Sequence, residues 1–241
     1  MKSIPDDRKY IGNELIVFHY AVHWKRYFGY KLSPYITGDV LEVGAGLGVT
    51  SSFLCNSRVL SWKALEPDSE MAELCRQQPF YRDQTNCSAS VYIGILSDIP
   101  VDQNFDTIVY IDVLEHIEDD KGELRLALKR LRVGGHIVVL SPAFNKLTSV
   151  FDYAVGHYRR YTERRFQAIT PAGLKLVRSF YLDSFGILTS IANRLFLRVA
   201  NPTIKQIKLW DTVFVPLSRV TDLVAGPFLG RSVVGVWRNA L

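Results

Sequence analysis

Residues 40–48 read VLEVGAGLG, an apolar run carrying Glu42 that passes straight into glycines at every second position, Gly44, Gly46 and Gly48. Glycine takes positive φ at no steric cost and has no Cβ, so a buried strand breaking into such a loop brings backbone N–H groups within reach of a ligand. This stretch restricts the chain to strand–loop–helix units and points to a nucleoside-type cofactor. A dinucleotide fingerprint is spaced G-x-G-x-x-G. Here the order is E-x-G-x-G-x-G, with the acid at the strand end and no extra residue before the last glycine.

Four more segments of the same kind follow. In SWKALEPDSEM an apolar run ends on Glu66, 18 residues past Gly48, followed by Pro67. A carboxylate at this distance can accept both hydroxyls of a ribose. SVYIGIL runs into Asp98 and Ile99, an acid beside an aliphatic residue, suited to an adenine amino group and ring face. FDTIVYIDVLEHIEDD predicts a strand over 105–111, then Asp112 and a helix, and RLRVGGHIVVLSPA predicts a turn at Gly134–Gly135 feeding a buried strand. Alternating strands and helices of this kind make an α/β, Rossmann-like parallel sheet with helices on both faces.

With LEVGAGLG, the acid of ALEPD, the SDI step, YIDVLEHI and LRVGGHIVVLSPA in place, the chain resembles the class I S-adenosylmethionine-dependent methyltransferases along nearly its whole length. The resemblance implies a seven-stranded sheet whose last strand, here SVVGVWRN, is antiparallel. It also implies S-adenosyl-L-methionine as cofactor, with Glu42 and the loop Gly44, Ala45, Gly46 and Gly48 at the methionine part and Glu66 and Pro67 at the ribose. Asp98 and Ile99 would then meet the adenine, and Asp112 and Val113 the methionine amino group. GHYRRYT and the tail are similar to bacterial methyltransferases of glycan and glycolipid assembly, which implies an oxygen of a glycan, glycolipid precursor or other small molecule as acceptor.

At 241 residues the chain suits one methyltransferase domain. Its expected parts are an N-terminal helical cap (1–36), a cofactor-binding core (37–182), a helical insertion (183–231) and a last strand (232–241). Cys55, Cys75 and Cys87 are odd in number and lack metal spacing, so no metal is expected and the compartment is read as the reducing cytoplasm. MKSIPDDRKY has no apolar run after its charges and is not read as a secretory leader. The net charge of +5 comes without a basic appendage or a basic–aromatic strand pattern, so nucleic acid is not an expected partner.

Two pieces lie outside the core. ELIVFHYAVHWKRYFGY places apolar or aromatic residues at 15, 16, 18, 22, 24, 27 and 28, one helical stripe, with His19, His23 and the Lys25–Arg26 pair at its margins. Such a helix can lie over the cofactor cleft or pack on the sheet edge. In the insertion, Ile187, Leu188, Ile191, Leu195 and Val199 repeat at helical spacing, and so do Ile207, Trp210, Phe214, Leu217 and Val224, predicting two helices, the second kinked at Pro216. An insertion of this kind can pack on the core, cap a substrate pocket, form a homodimer, or rest peripherally on the inner membrane surface with basic residues toward anionic head groups.

Methyl transfer to oxygen needs an in-line acceptor and somewhere for its proton to go. His116, in DVLEHI, and His157, in VGHYRRYT beyond the fifth strand, are the candidate bases, since a neutral imidazole near pH 7 suits that step. Arg159 and Arg160 are the candidates to hold an anionic acceptor group, with Tyr158 and Trp24 lining the acceptor side. His157 with Tyr158 can equally brace the loop that carries the arginines. N- or C-methylation of a small metabolite, a nucleotide-cofactor dehydrogenase and a non-catalytic cofactor-binding protein remain open alternatives.

Overall fold

A computed structural model describes residues 14–83, 87–193, 202–226 and 228–240. Its centre is a seven-stranded sheet of β1 (Gly38–Val43), β2 (Val59–Glu66), β3 (Ser88–Ile93), β4 (Phe105–Ile111), β5 (Leu131–Pro142), β6 (Leu174–Leu182) and β7 (Ser232–Asn239), with α3 (Ser51–Leu54) between β1 and β2 and α4 (Ser69–Arg76) and α5 (Pro79–Asp83) between β2 and β3. The order is β3-β2-β1-β4-β5-β7-β6. Strands β1 to β5 pair in parallel, while β7 runs antiparallel to both β5 and β6. The expected Rossmann-like sheet with an antiparallel last strand is therefore present.

Period-2 alternation divides the sheet residues between two cores. Val40, Trp62, Val109 and Val138 face one side, where α2 (Val22–Leu32) and the helical segment before β7 cover them. Leu41, Leu65, Ile108 and Ile137 face the other, under α6 (Asp120–Leu128) and α8 (Glu163–Ile169). The strand order reverses between β1 and β4, and ligands of open α/β sheets bind in the crevice outside the strand carboxyl ends at such a point.

Three expectations are corrected. The N-terminal stripe is two helices, α1 (Glu14–Phe18) and α2, and Lys25 is buried rather than marginal, its Nζ donating to the carbonyls of Phe18 and Ala21 at the break. Gly134 and Gly135 lie inside β5, where the pairing register with β4 shifts, instead of in a turn before it. In the insertion, α9 (Gly186–Ala192) is followed, beyond residues outside the description that include Leu195 and Val199, by α10 (Ile204–Leu209), a π turn (Trp210–Phe214) and α11 (Val215–Ala225).

That π turn answers Pro216, which has no N–H to donate back along the helix. Its i→i+5 step inserts one extra residue and rotates everything downstream by about 100°. Ile207 and Trp210 are buried as expected, but past the turn the inward positions are Val215, Ser218 and Asp222, while Leu217 and Val224 point to solvent. Asp222 accepts from Tyr27 Oη at 2.8 Å, and Asp211 accepts from the backbone N–H groups of His23 and Trp24 at 3.0 and 2.8 Å, tying the segment to α2.

Candidate active site

β1 ends where Gly44 and Gly46 adopt φ of +71° and +54°. A Cβ on Gly44 would stand 2.7 Å from Val113 Cγ2 and one on Gly48 would collide with Cys75 Sγ, so these two glycines serve close packing. Gly46 has more room, its nearest neighbour being Leu15 Cδ1 at 3.2 Å from the added atom, and its N–H donates to Glu66 Oε2 at 2.7 Å. Asp68 N–H donates to Glu66 Oε1 at 3.0 Å. One carboxylate thus ties the glycine loop to β2 and keeps lone pairs on both oxygens. Gly46→Val forces a β-branched residue into the left-handed region at a cost of about 1–2 kcal/mol. A roughly tenfold or larger loss of affinity for S-adenosylhomocysteine by calorimetry is expected, with an unchanged far-UV spectrum.

A cavity of about 340 Å³ opens over this loop. Glu42, Gly44, Ala45, Gly46, Glu66, Pro67, Asp112 and Val113 line it, and so do Trp24 and Phe28 of α2 and Leu15 and Phe18 of α1. The N-terminal helices therefore cover the cleft. Glu42 is buried, its Oε2 accepting from Ser51, Trp62 and Tyr81, and burial pushes its carboxyl up to about 7 despite those donors. Asp112 closes β4 at φ +53°, a conformation uncommon outside glycine. Surrounding protein lifts Asp112 to about 6, opposed by the positive fields of His157, Arg231 and Lys25.

His116 and His157 meet edge to face on the cavity wall, ring centroids 4.6 Å apart. Burial, with His157 beside it, lowers His116 to about 4, which makes it a weak base at neutral pH. His157 Nδ1 lies 2.9 Å from Asp152 Oδ1, in α7 (Val150–Ala154). Asp152 also accepts from Arg160 Nε at 2.7 Å and Nη2 at 3.0 Å and from Ser149 N–H at 2.8 Å. Glu115, fully buried between these groups, accepts from Ser141 Oγ at 2.9 Å through Oε2, while Oε1 has no hydrogen-bond partner. Burial and the neighbouring Asp112 push Glu115 well above the ordinary carboxylate range.

Several expected site residues stand elsewhere. Asp98 is exposed and caps its own turn by accepting from Ile95 N–H at 3.0 Å, and Ile99 is buried in the core under α6. Neither lines the cavity, although Gly94 N–H reaches Glu66 O at 3.1 Å. Tyr158 is 58% exposed on the outer surface. Arg159 turns from the cavity toward Asp120 Oδ2 (2.8 Å), which also holds Arg165, and toward the carbonyl of Glu118. Arg160 does reach the cavity wall, but with three of its five donors spent on Asp152 and the carbonyl of Ala143.

Among the described residues, a further arginine that the sequence did not single out faces the cavity. Arg231 lines both the first cavity and an adjoining one of about 270 Å³, walled by Phe18, Phe151, Trp210 and Phe214. Its guanidinium lies 4.7 Å from the centroid of Trp210, and among the described residues it forms no ion pair. Burial pulls it somewhat below its ordinary value, with Asp183 opposing. A signal was available: β7 is antiparallel, so a residue just before it sits at the carboxyl edge of the parallel strands.

Residues 19–177 match the family model described as a methyltransferase domain, about two thirds of the chain. Among curated proteins, the mitochondrial ubiquinone biosynthesis O-methyltransferase of Candida albicans is 31% identical over 101 residues, which are 40% of this chain and 30% of that protein. A putative methyltransferase from Bacillus halodurans superposes with a TM-score of 0.59 at 14% identity, covering 90% of this chain and 99% of that one. Coclaurine N-methyltransferase, solved with N-methylheliamine and S-adenosylhomocysteine, gives a TM-score of 0.59 at 11% identity over 90% of this chain and 72% of its own. At such identities the structures speak for the fold, and the family match carries the assignment: the chain belongs to the class I S-adenosylmethionine-dependent methyltransferases.

Proposed function

We infer that this methyltransferase acts on an oxygen of a small anionic acceptor, a glycan or glycolipid precursor being the class that best suits the site, with His157 taking the proton. The observation that carries this reading is the Asp152–His157 pair on the wall of the cavity that also holds the glycine loop and Glu66. The residues present fit the cofactor: Glu66 offers lone pairs to ribose hydroxyls, Gly46 leaves the loop open, and the carboxylate of Asp112 suits an ammonium group. Bound S-adenosylmethionine supplies an electrophilic methyl group on a sulfonium.

The chain's own work is to position and to deprotonate. A hydrogen bond from Nδ1–H to Asp152 keeps the lone pair of His157 on Nε2, where it can take a hydroxyl proton as the oxygen–methyl bond forms. His116, held near 4, is the poorer proton acceptor and takes the role of shaping the wall. Arg231 replaces Arg159 and Arg160 as the receptor for the acceptor's carboxylate or phosphate, since its donors are not committed to an acid of the protein. The O-methyltransferase relative supports oxygen over nitrogen or carbon. Helices α10 and α11 offer a peripheral surface from which a lipid-borne acceptor can be reached.

With an active acceptor, His157→Ala is expected to lower kcat by roughly 100-fold while affinity for S-adenosylhomocysteine is kept. Normal turnover in that variant sinks the proton-transfer role. Arg231→Ala should raise KM for the acceptor and spare the cofactor; the opposite split would place Arg231 at the methionine carboxylate.

A further inference from the structure

The segment from α10 to the start of β7 buries Ile207, Trp210 and Val215 against the core, but it buries its acids as well and turns a second apolar face outward. Its only acids, Asp211 and Asp222, are 2% and 7% exposed and face inward with Ser218, satisfied by α2 and by backbone N–H groups after β6. Its outward face carries Leu217, Val220, Leu223 and Val224 on α11 and Phe228 beyond it, 44%, 67%, 73%, 81% and 78% exposed. A soluble surface helix shows the opposite arrangement, and apolar residues gathered in this way mark a contact surface. Among the described residues of 202–229, every exposed charge is basic: Lys205, Lys208 and Arg219.

We propose that this face docks on an anionic membrane surface, with α10 and α11 lying in the plane of the head groups. An apolar helix face edged by lysine and arginine is the pattern of interfacial helices. α11 is 11 residues long, and no helix among the described residues is long and apolar enough to cross a bilayer, so the contact is lateral. A second copy of the chain fits less well. A two-fold contact sets the patch against itself, and here that brings Lys205, Lys208 and Arg219 toward their own images with no exposed acid in the segment to pair with them.

The position of the second cavity gives the contact a purpose. Gln206 and Leu209 line that cavity and are themselves exposed on α10, so docking sets an entrance to the Arg231 chamber beside the lipid. A membrane-borne acceptor with an anionic group near its reactive end would enter there. This last step rests on the methyl-transfer reading above, whereas the docking does not.

The experiment is co-sedimentation of the full chain with vesicles of phosphatidylcholine alone and of phosphatidylcholine and phosphatidylglycerol in equal parts, beside a calorimetric titration with S-adenosylhomocysteine. Binding to the anionic vesicles is expected, about tenfold weaker on the neutral ones and weakened by salt. The double variant Leu223→Ser/Val224→Ser, altered only at exposed positions, should lose about tenfold in vesicle binding and keep its cofactor affinity, and so should Lys205→Glu/Lys208→Glu. The proposal is overturned if the wild type ignores anionic vesicles, if either variant binds them as well as the wild type does, or if light scattering shows a dimer that Leu223→Ser/Val224→Ser converts to monomers. A failure of cofactor binding with vesicle binding intact would count against the methyltransferase site alone.

Discussion

Asp152→Ala is expected to lower the unfolding free energy by about 3–5 kcal/mol, the usual consequence of removing one partner of a buried ion pair. For a domain of this size that is a fall in Tm of roughly 10 °C. The carboxylate accepts from Arg160, His157 and Ser149, and its loss strands the Arg160 guanidinium at 8% exposure beside an imidazole that no longer has an orienting partner. Burial alone would raise the Asp152 pKa, but the hydrogen bonds from His157 and Arg160 and the guanidinium charge outweigh it and hold the group well below the usual carboxylate range. Because the folded value is depressed, the stabilisation is present above about pH 4 and is lost as pH falls below the unfolded value. Thermal melts from about pH 7 to about pH 3, a range that spans the ordinary carboxylate value, should show a shallower acid-side decline for Asp152→Ala than for the wild type. Equal stabilities at neutral pH would show that the pair only breaks even with its desolvation.

Glu66→Ala should weaken S-adenosylhomocysteine binding by about 2–4 kcal/mol, or roughly 30- to 1,000-fold in Kd. Two hydroxyl hydrogen bonds to the carboxylate account for this range, and a second role of Glu66 favours its upper end. The same carboxylate accepts from Gly46 and Asp68, so the glycine loop loses its tie to β2 when Glu66 goes. Glu66→Gln separates the two contributions. An amide has one acceptor oxygen and must turn its NH2 toward one of the two backbone donors, so Glu66→Gln should also bind poorly although it keeps the side-chain volume. Unchanged affinity in Glu66→Ala would remove Glu66 from the cofactor site.

The strands and the glycine loop could be read from the chain because their causes are local. Apolar runs of strand length, acids at or near their ends and glycines where φ is positive are set by neighbours in sequence, and Glu42, Gly44, Gly46, Glu66 and Asp112 all line the cavity. What a charge does is not local. The arginines after β5 read as a receptor for an anion, yet Arg159 and Arg165 hold Asp120 and Arg160 holds Asp152, while among the described residues lining the cavity the guanidinium without an ion pair is that of Arg231, far along the chain. An ion pair is chosen by proximity in the folded state, and the partners of Arg159 and Arg165 come from another helix.

Helical periodicity likewise determines which residues share a face but not which face turns inward. Ile207, Trp210, Leu217 and Val224 look like one apolar stripe, and the π turn before Pro216 divides it, leaving the first two in the core and the last two in solvent. By itself the sequence determined the α/β sheet, the glycine loop and the carboxylates along its carboxyl edge, since each follows from short-range sterics and burial. Tertiary structure alone decided which arginine on the cavity wall is left without an acid and which helix face meets the outside, because both depend on groups brought together only when α10 and α11 pack against α2.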